Sequence, residues 1–144
     1  MNMSNLHGDT FTIINVIPNG ESNKYAKHVL QKCGKDDGIF DRSSGTMAYK
    51  KDSWTAYICD TEKYIPPCDY YGSDNINSNF TVNVGDLLIF KAISEDAPKN
   101  TKEFINLRDK YKSCGGVITG QRAYLSYNAD GTPWETNYIE AVKE

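Results

Sequence analysis

Two histidines, His7 and His28, and four cysteines, Cys33, Cys59, Cys68 and Cys114, are the side chains best suited to nucleophilic or metal chemistry in this 144-residue chain. Their spacing argues against both uses. The cysteines lack the close pairing of a zinc ribbon, and neither histidine lies within a few residues of one, so no zinc site is expected. A Ser-His-Asp or Cys-His arrangement would have to use His28, and nothing along the chain brings Cys59 or a serine to it. Glu62 and Asp69 have the chemistry of a general acid and base, but acidic side chains on a solvated surface are the ordinary reading. Asp69, Asp74, Asn75 and Asn77 are hard oxygen ligands in a stretch whose composition is that of a turn. A calcium loop beginning at Ser126 has Gly131 in sixth place but Asn137 in the twelfth, where a bidentate Glu is required. Gly115, Gly116 and Gly120 lead from a helix into a strand, the reverse of a dinucleotide-binding loop. The residues therefore predict no enzyme, no cofactor and no metal.

The elements that carry these side chains read as mainly β. Residues 11–17 are apolar and β-branched, and the run Pro18, Asn19, Gly20 ends them in a loop. Residues 25–33 fit one face of a helix or of a strand; strand is preferred. A turn is expected at Lys35, Asp36, Asp37 and Gly38, then a short strand over 45–49 and a stronger one over 53–59 around Trp54, Tyr57 and Ile58. Residues 60–79 hold Pro66 and Pro67, which deny two backbone donors, and the turn-forming 69–75 with Tyr70 and Tyr71 inside it. They predict a long inter-strand loop without a regular element, either a disordered, variable insertion or a contact arm or gate. Residues 80–93 predict two strands turning at Gly85 and Asp86. Residues 101–111 predict one short helix capped by Asn100 or Thr101, with Phe104, Leu107 and Tyr111 on one face, plugging an open end of a barrel. Residues 117–127 and 134–142 are the last two strands.

One domain of 1–144 is expected, burying roughly two-thirds of its unfolded surface, with 1–9 a flexible arm and 60–79 the long loop. Lys and Arg number 16 against 19 Asp and Glu, a net charge of −3, and no basic block is present, which disfavours a dedicated DNA reader. The start of the chain lacks the basic and apolar runs of a signal peptide, and no apolar stretch is long enough to span a bilayer. Synthesis in a cytosol with reduced thiols follows as the expectation. Ten tyrosines and two tryptophans in so polar a chain suggest that some aromatics serve an interface.

Taken in order, the Thr-Ile-Ile-Asn strand at 12–15, the tyrosine-containing second and tryptophan-containing third strands, the long insertion, Phe-Thr-Val-Asn-Val-Gly-Asp-Leu-Leu-Ile-Phe-Lys at 80–91, the helix with Leu107 and Tyr111, and the closing strand near Trp134 and Tyr138 carry a resemblance. From about Thr10 onward the chain resembles the small head-to-tail connector and minor structural proteins of long-tailed bacteriophages. That likeness implies a small β-barrel of SH3-like type that docks as a homo-oligomeric ring on portal or adaptor proteins, closes the head and receives tail proteins. It implies a virion location, assembly in the host cytoplasm, no membrane, and only non-specific proximity to packaged DNA. By position, 60–79 would be the channel-blocking loop, with Tyr64, Pro66, Pro67, Tyr70 and Tyr71 as its stiff part. Two other classes remain open: an RNA-binding barrel using Arg122, Lys91 and Tyr124, and a carbohydrate- or receptor-binding module using Trp54, Trp134 or the Tyr70 and Tyr71 pair.

Overall fold

A computed structural model describes residues 8–41 and 48–144, with backbone alone for 38–41 and 48–52. The chain is mainly β. Seven strands, β1 (Asp9–Asn19), β2 (Ser22–Asp41), β3 (Ala48–Ile58), β4 (Leu87–Ile89), β5 (Gly115–Val117), β6 (Gly120–Tyr124) and β7 (Tyr138–Lys143), form one antiparallel sheet in the order β5-β4-β1-β2-β3-β7-β6. Helices α1 (Pro67–Tyr70) and α2 (Thr101–Lys110) complete it. Asp9, within the expected 1–9 arm, belongs to β1, and residues 1–7 lie outside the described ones. The strand expected at 45–49 is described only from Ala48, where it is the start of β3.

Alternation of side chains decides which face each strand buries. Phe11 and Ile13 of β1, Leu30 of β2, Trp54, Ala56 and Ile58 of β3, Leu88 of β4, and Ile139 and Ala141 of β7 meet in one core with Phe80, Val82 and Ile118. The opposite face of β1 and β4 presents Ile14, Leu87 and Ile89, and α2 covers these with Leu107 and Tyr111. Tyr25 stacks on Phe104 there, ring centroids 5.3 Å apart. The helix thus lies across the outer face of the sheet instead of plugging an end, because its apolar stripe fits the exposed alternates of β1 and β4. The Asn100 side chain accepts the Glu103 N–H at 2.9 Å, giving α2 the expected cap.

Strand β2 is the long organiser. It pairs with β1 as far as Asp9↔Cys33 and with β3 from Cys33 onward. Lys32, at φ 56°, supplies the extra residue that bends β2 between its two partners. The predicted 25–33 strand is therefore real, and the predicted turn at 35–38 is not. The ladder runs through those residues, with an irregularity between Asp37 and Ile39. Asp and Gly can sit in a strand at such an irregularity, which is why turn chemistry misleads there.

The strand pair expected over 80–93 shrinks to β4. Gly85, at φ 96°, does make the turn, but Phe80 forms only an isolated parallel bridge with Tyr64. The last two strands are likewise shorter than expected. Between them, Tyr127 bridges Pro133, and Asn137 exchanges two hydrogen bonds with the backbone of Ser126. Ile118 and Thr119 alone separate β5 from β6. The Ile118 N–H donates to the Asp86 carbonyl at 2.9 Å, and the Thr119 N–H to the Val142 carbonyl at 2.8 Å. At Gly115 a Cβ would press on the Leu88 carbonyl and lie 2.9 Å from the Ile89 Cα. Backbone atoms cannot yield there, so Gly115→Ala should cost about 1–3 kcal/mol of overpacking, read as a lowered urea midpoint.

Candidate functional site

The predicted contact loop is docked. Its 60–79 run is not free of regular structure: α1 forms on Pro66 and Pro67, whose fixed φ suits a helix start. This one turn buries Tyr70 completely, in a third apolar cluster with Ile17 and Ala26. The Tyr70 hydroxyl donates to the Ile76 carbonyl at 2.7 Å, which folds the loop back on itself. Tyr71 is half-buried, and its hydroxyl accepts from the Asn83 side chain at 2.9 Å. Tyr64 packs edge-on to Phe80 at 5.9 Å. Pro66 is exposed and Pro67 half-buried. Trp54 is only 4% exposed. Of the aromatic residues singled out for contacts, only Trp134, 51% exposed, stands open to a partner; Trp54 and Tyr70 are core.

What fixes this loop to the sheet is a buried polar knot. Asp86 Oδ1 accepts the Val16 N–H at 2.9 Å, and Oδ2 accepts the Asn15 Nδ2 at 2.9 Å and the Asn83 N–H at 3.0 Å. Asn15 in turn donates to the Thr81 carbonyl at 2.7 Å and accepts the Thr81 N–H. Burial pushes the Asp86 carboxyl up to about 7, against the pull of its three N–H donors. Turn chemistry at Gly85 and Asp86 made the turn legible, but not that Asp86 reaches across to β1.

Among the described residues no catalytic constellation forms around the titratable groups. His28 Nε2 lies 3.4 Å from the Tyr70 hydroxyl, and no serine or cysteine hydrogen-bonds it among the described residues. Burial holds its imidazole below the usual range, so it is neutral at pH 7. All four cysteines are free thiols, and burial pushes Cys59 up to about 11 and Cys33 higher still, the reverse of an activated nucleophile. Among the described residues no cluster of three or more His, Cys, Asp or Glu is placed to hold a metal, and no helix is long and apolar enough to cross a membrane.

The surfaces are more distinctive. Beyond Cys33 and before Trp54, β2 and β3 pair only with each other, because β1 ends opposite Cys33 and β7 reaches only Trp54. Residues 34–37 pair with Trp54–Tyr57, which β7 also pairs, so only beyond Asp37↔Trp54 do residues 38–41 and 48–53 form a two-stranded ribbon running off one end of the sheet. At the other end of β3, the hairpin between β6 and β7 exposes Tyr127 and Trp134. Along the outer face of β3, β7 and β6, Tyr57, Tyr138 and Tyr124 line up at 6.0 and 4.7 Å, with Arg122 over the Tyr124 ring. The sequence singled out Arg122 and Tyr124, but not the row as a whole, because its members come from three strands and only sheet register brings them together.

A family model matches residues 6–137, and the chain belongs to that family, described as a family of unknown function (DUF6751). No curated protein and no solved structure matches it.

Proposed function

We propose that this member of the DUF6751 family is a structural virion protein of a tailed bacteriophage that forms a homo-oligomeric ring at the head-tail junction. Its role there is head closure by protein-protein contacts with portal or adaptor proteins and tail proteins. The observation that carries this reading is the two-stranded ribbon of 38–41 and 48–53, in which, among the described residues, β2 and β3 pair only with each other. An extension of that kind adds nothing to the core and suits reaching a neighbour or a channel. The gate in this reading is the ribbon; residues 60–79, held by buried Tyr70, are a lid on the core. The exposed Tyr127 and Trp134 at the opposite end suit a head-to-tail contact, in which unlike ends of successive copies meet and a ring closes. A closed barrel of SH3-like type belongs to the same reading. It is supported by the continuous run 115–124, whose first half bonds β4 and whose second half bonds β7.

The test is electron microscopy of particles from a parent phage carrying an early stop in this gene. Heads separated from finished tails are expected; normal, filled, tailed virions reject the connector. Replacing residues 38–51 by a two-residue turn should leave the circular dichroism and urea midpoint of the purified chain unchanged while heads lose DNA. Filled, infectious particles from that variant would remove the ribbon from the gate role.

The outer row of Tyr57, Tyr138 and Tyr124 favours a second reading as a binding face. Asp36, which accepts from the Tyr57 hydroxyl at 3.2 Å, and Glu140, opposite both Tyr57 and Arg122, put acids beside the rings. Acids beside stacking rings suit a sugar better than a phosphate backbone. Glycan-array binding that is lost in Tyr124→Ala would favour this reading over the ring.

A further inference from the structure

Part of β2 has an open edge. Gly20, at φ 65°, and Glu21 make a two-residue turn closed by Asn19↔Ser22. The closing pair of such a hairpin exchanges hydrogen bonds, and bonded and non-bonded pairs then alternate along the ladder. Lys27 opposite Ile14 and Val29 opposite Thr12 fall in the non-bonded class, so their backbone N–H and C=O groups point away from β1. Val16, opposite Tyr25 in the same class, shows the alternation directly, since its N–H turns from β2 to Asp86 Oδ1 at 2.9 Å. On the outward side β3 reaches β2 only from Cys33↔Ile58, and the bond from the Cys59 N–H to the Lys32 carbonyl, at 3.1 Å, is the last before the chain turns away. Among the described residues, the outward backbone groups of Lys27 and Val29 therefore have no strand partner.

A groove of about 530 Å³ runs beside that edge, with Lys27 and Val29 on one wall and Asp60, Glu62, Lys63 and Phe80 on the other. Exposed strand edges are ordinarily blunted by a proline, a bulge or a charge. Here Lys27 turns its ammonium away to the Ile93 carbonyl at 2.7 Å, and Val29 is 46% exposed. The chain holds a second open edge in the ribbon, where residues 48–52 of β3 pair with β2 alone among the described residues. The two edges lie toward opposite ends of β2, so one copy cannot join its own. By sequence, 48–52 has Lys50 and Lys51 against Asp52, whereas the far wall of the groove has Asp60 and Glu62 against Lys63, so the net charges are of opposite sign. Five extended residues span about 16 Å, enough to run past Lys27 and Val29.

We propose that residues 48–52 of a second copy add to this edge as a further strand, bonding the backbone of Lys27 and Val29. In the ring proposed above, on which this rests, unlike edges then meet, each copy giving one and receiving one. A synthetic peptide of residues 48–54 added to the full chain labelled with ¹⁵N should slow hydrogen exchange at the Lys27 and Val29 amides at least about tenfold. The Ala26 and His28 amides, already bonded to β1, should stay as they were. Val29→Pro removes an outward N–H, which an edge strand tolerates, so the urea midpoint should hold while the peptide response and self-association in sedimentation are lost. The chain with 38–51 replaced by a turn keeps the β2 edge but has no strand to give, so it should bind the peptide and no longer self-associate. Free exchange at Lys27 and Val29 with the peptide in excess overturns the pairing. So does equal slowing by a peptide of the same residues in scrambled order, an unchanged response in folded Val29→Pro, or self-association that survives the ribbon replacement. The peptide titration needs no phage and so fails separately from the connector. Slowed exchange together with normal virions from the early stop keeps the pairing without head closure, and separated heads with free exchange reject the pairing alone.

Discussion

Asp86→Ala should lower the stability of the chain by about 1–4 kcal/mol, because it strands the part-buried N–H groups of Val16 and Asn83, each at up to about 1–3 kcal/mol. Asn15 keeps its bond to the Thr81 carbonyl and softens the loss. Asp86→Asn keeps the shape but turns one amide N–H₂ toward a donor, since both carboxylate oxygens accept and neither donates. It should still cost about 1–3 kcal/mol. The pH dependence carries the more specific signature. The folded carboxyl, raised from 3.8 to about 7, binds its proton more tightly than the unfolded one. Its contribution is therefore fully present below 3.8 and is lost as the pH rises through about 7, by at most about 1.4 kcal/mol per pH unit. Urea unfolding of the parent and Asp86→Asn across that range should show the gap between them narrowing as the pH rises. A gap that widens would mean that the three donors outweigh burial and that Asp86 is ionised throughout.

How much of this was legible depends on where each element finds its partners. Residues 11–17 announced β1 because one face fills the core and the other lies under α2, so nearly every position is apolar. The helix was legible from Asn100 to Tyr111 because cap and stripe are local signals. Its place on the outer face was not, since that rests on which alternates of β1 and β4 stay uncovered. Residues 35–38 were read as a turn because Lys35, Asp36, Asp37 and Gly38 carry turn chemistry, although the ladder to β3 runs through them. Of the candidate contact residues, Trp134 is exposed while Trp54 and Tyr70 are buried, a difference the sequence did not show because an aromatic in a polar stretch looks the same whether it faces solvent or the chain's own core.

Tyr70 decides whether 60–79 is a gate or a lid, and its removal should be among the costliest single changes in the chain. Tyr70→Ala empties the centre of the cluster formed with Ile17 and Ala26, next to half-buried Ile65, Tyr71 and Ile76. Large aromatic-to-alanine changes in a core cost about 3–5 kcal/mol, the more so where the walls cannot collapse. Here one wall is β1 and β2, locked by their ladder through Ile17↔Lys24 and Asn15↔Ala26, so the void should persist. Tyr70→Phe keeps the ring and removes the hydroxyl that donates to Ile76, at about 0.5–1.5 kcal/mol. Deleting residues 65–74 should behave like Tyr70→Ala or worse, unlike the ribbon replacement, because it uncovers Ile17 and Ala26 together. Urea midpoints of the three variants give the order. A 65–74 deletion as stable as the parent would show that the segment contributes nothing to the core, and would return the gate role to the loop.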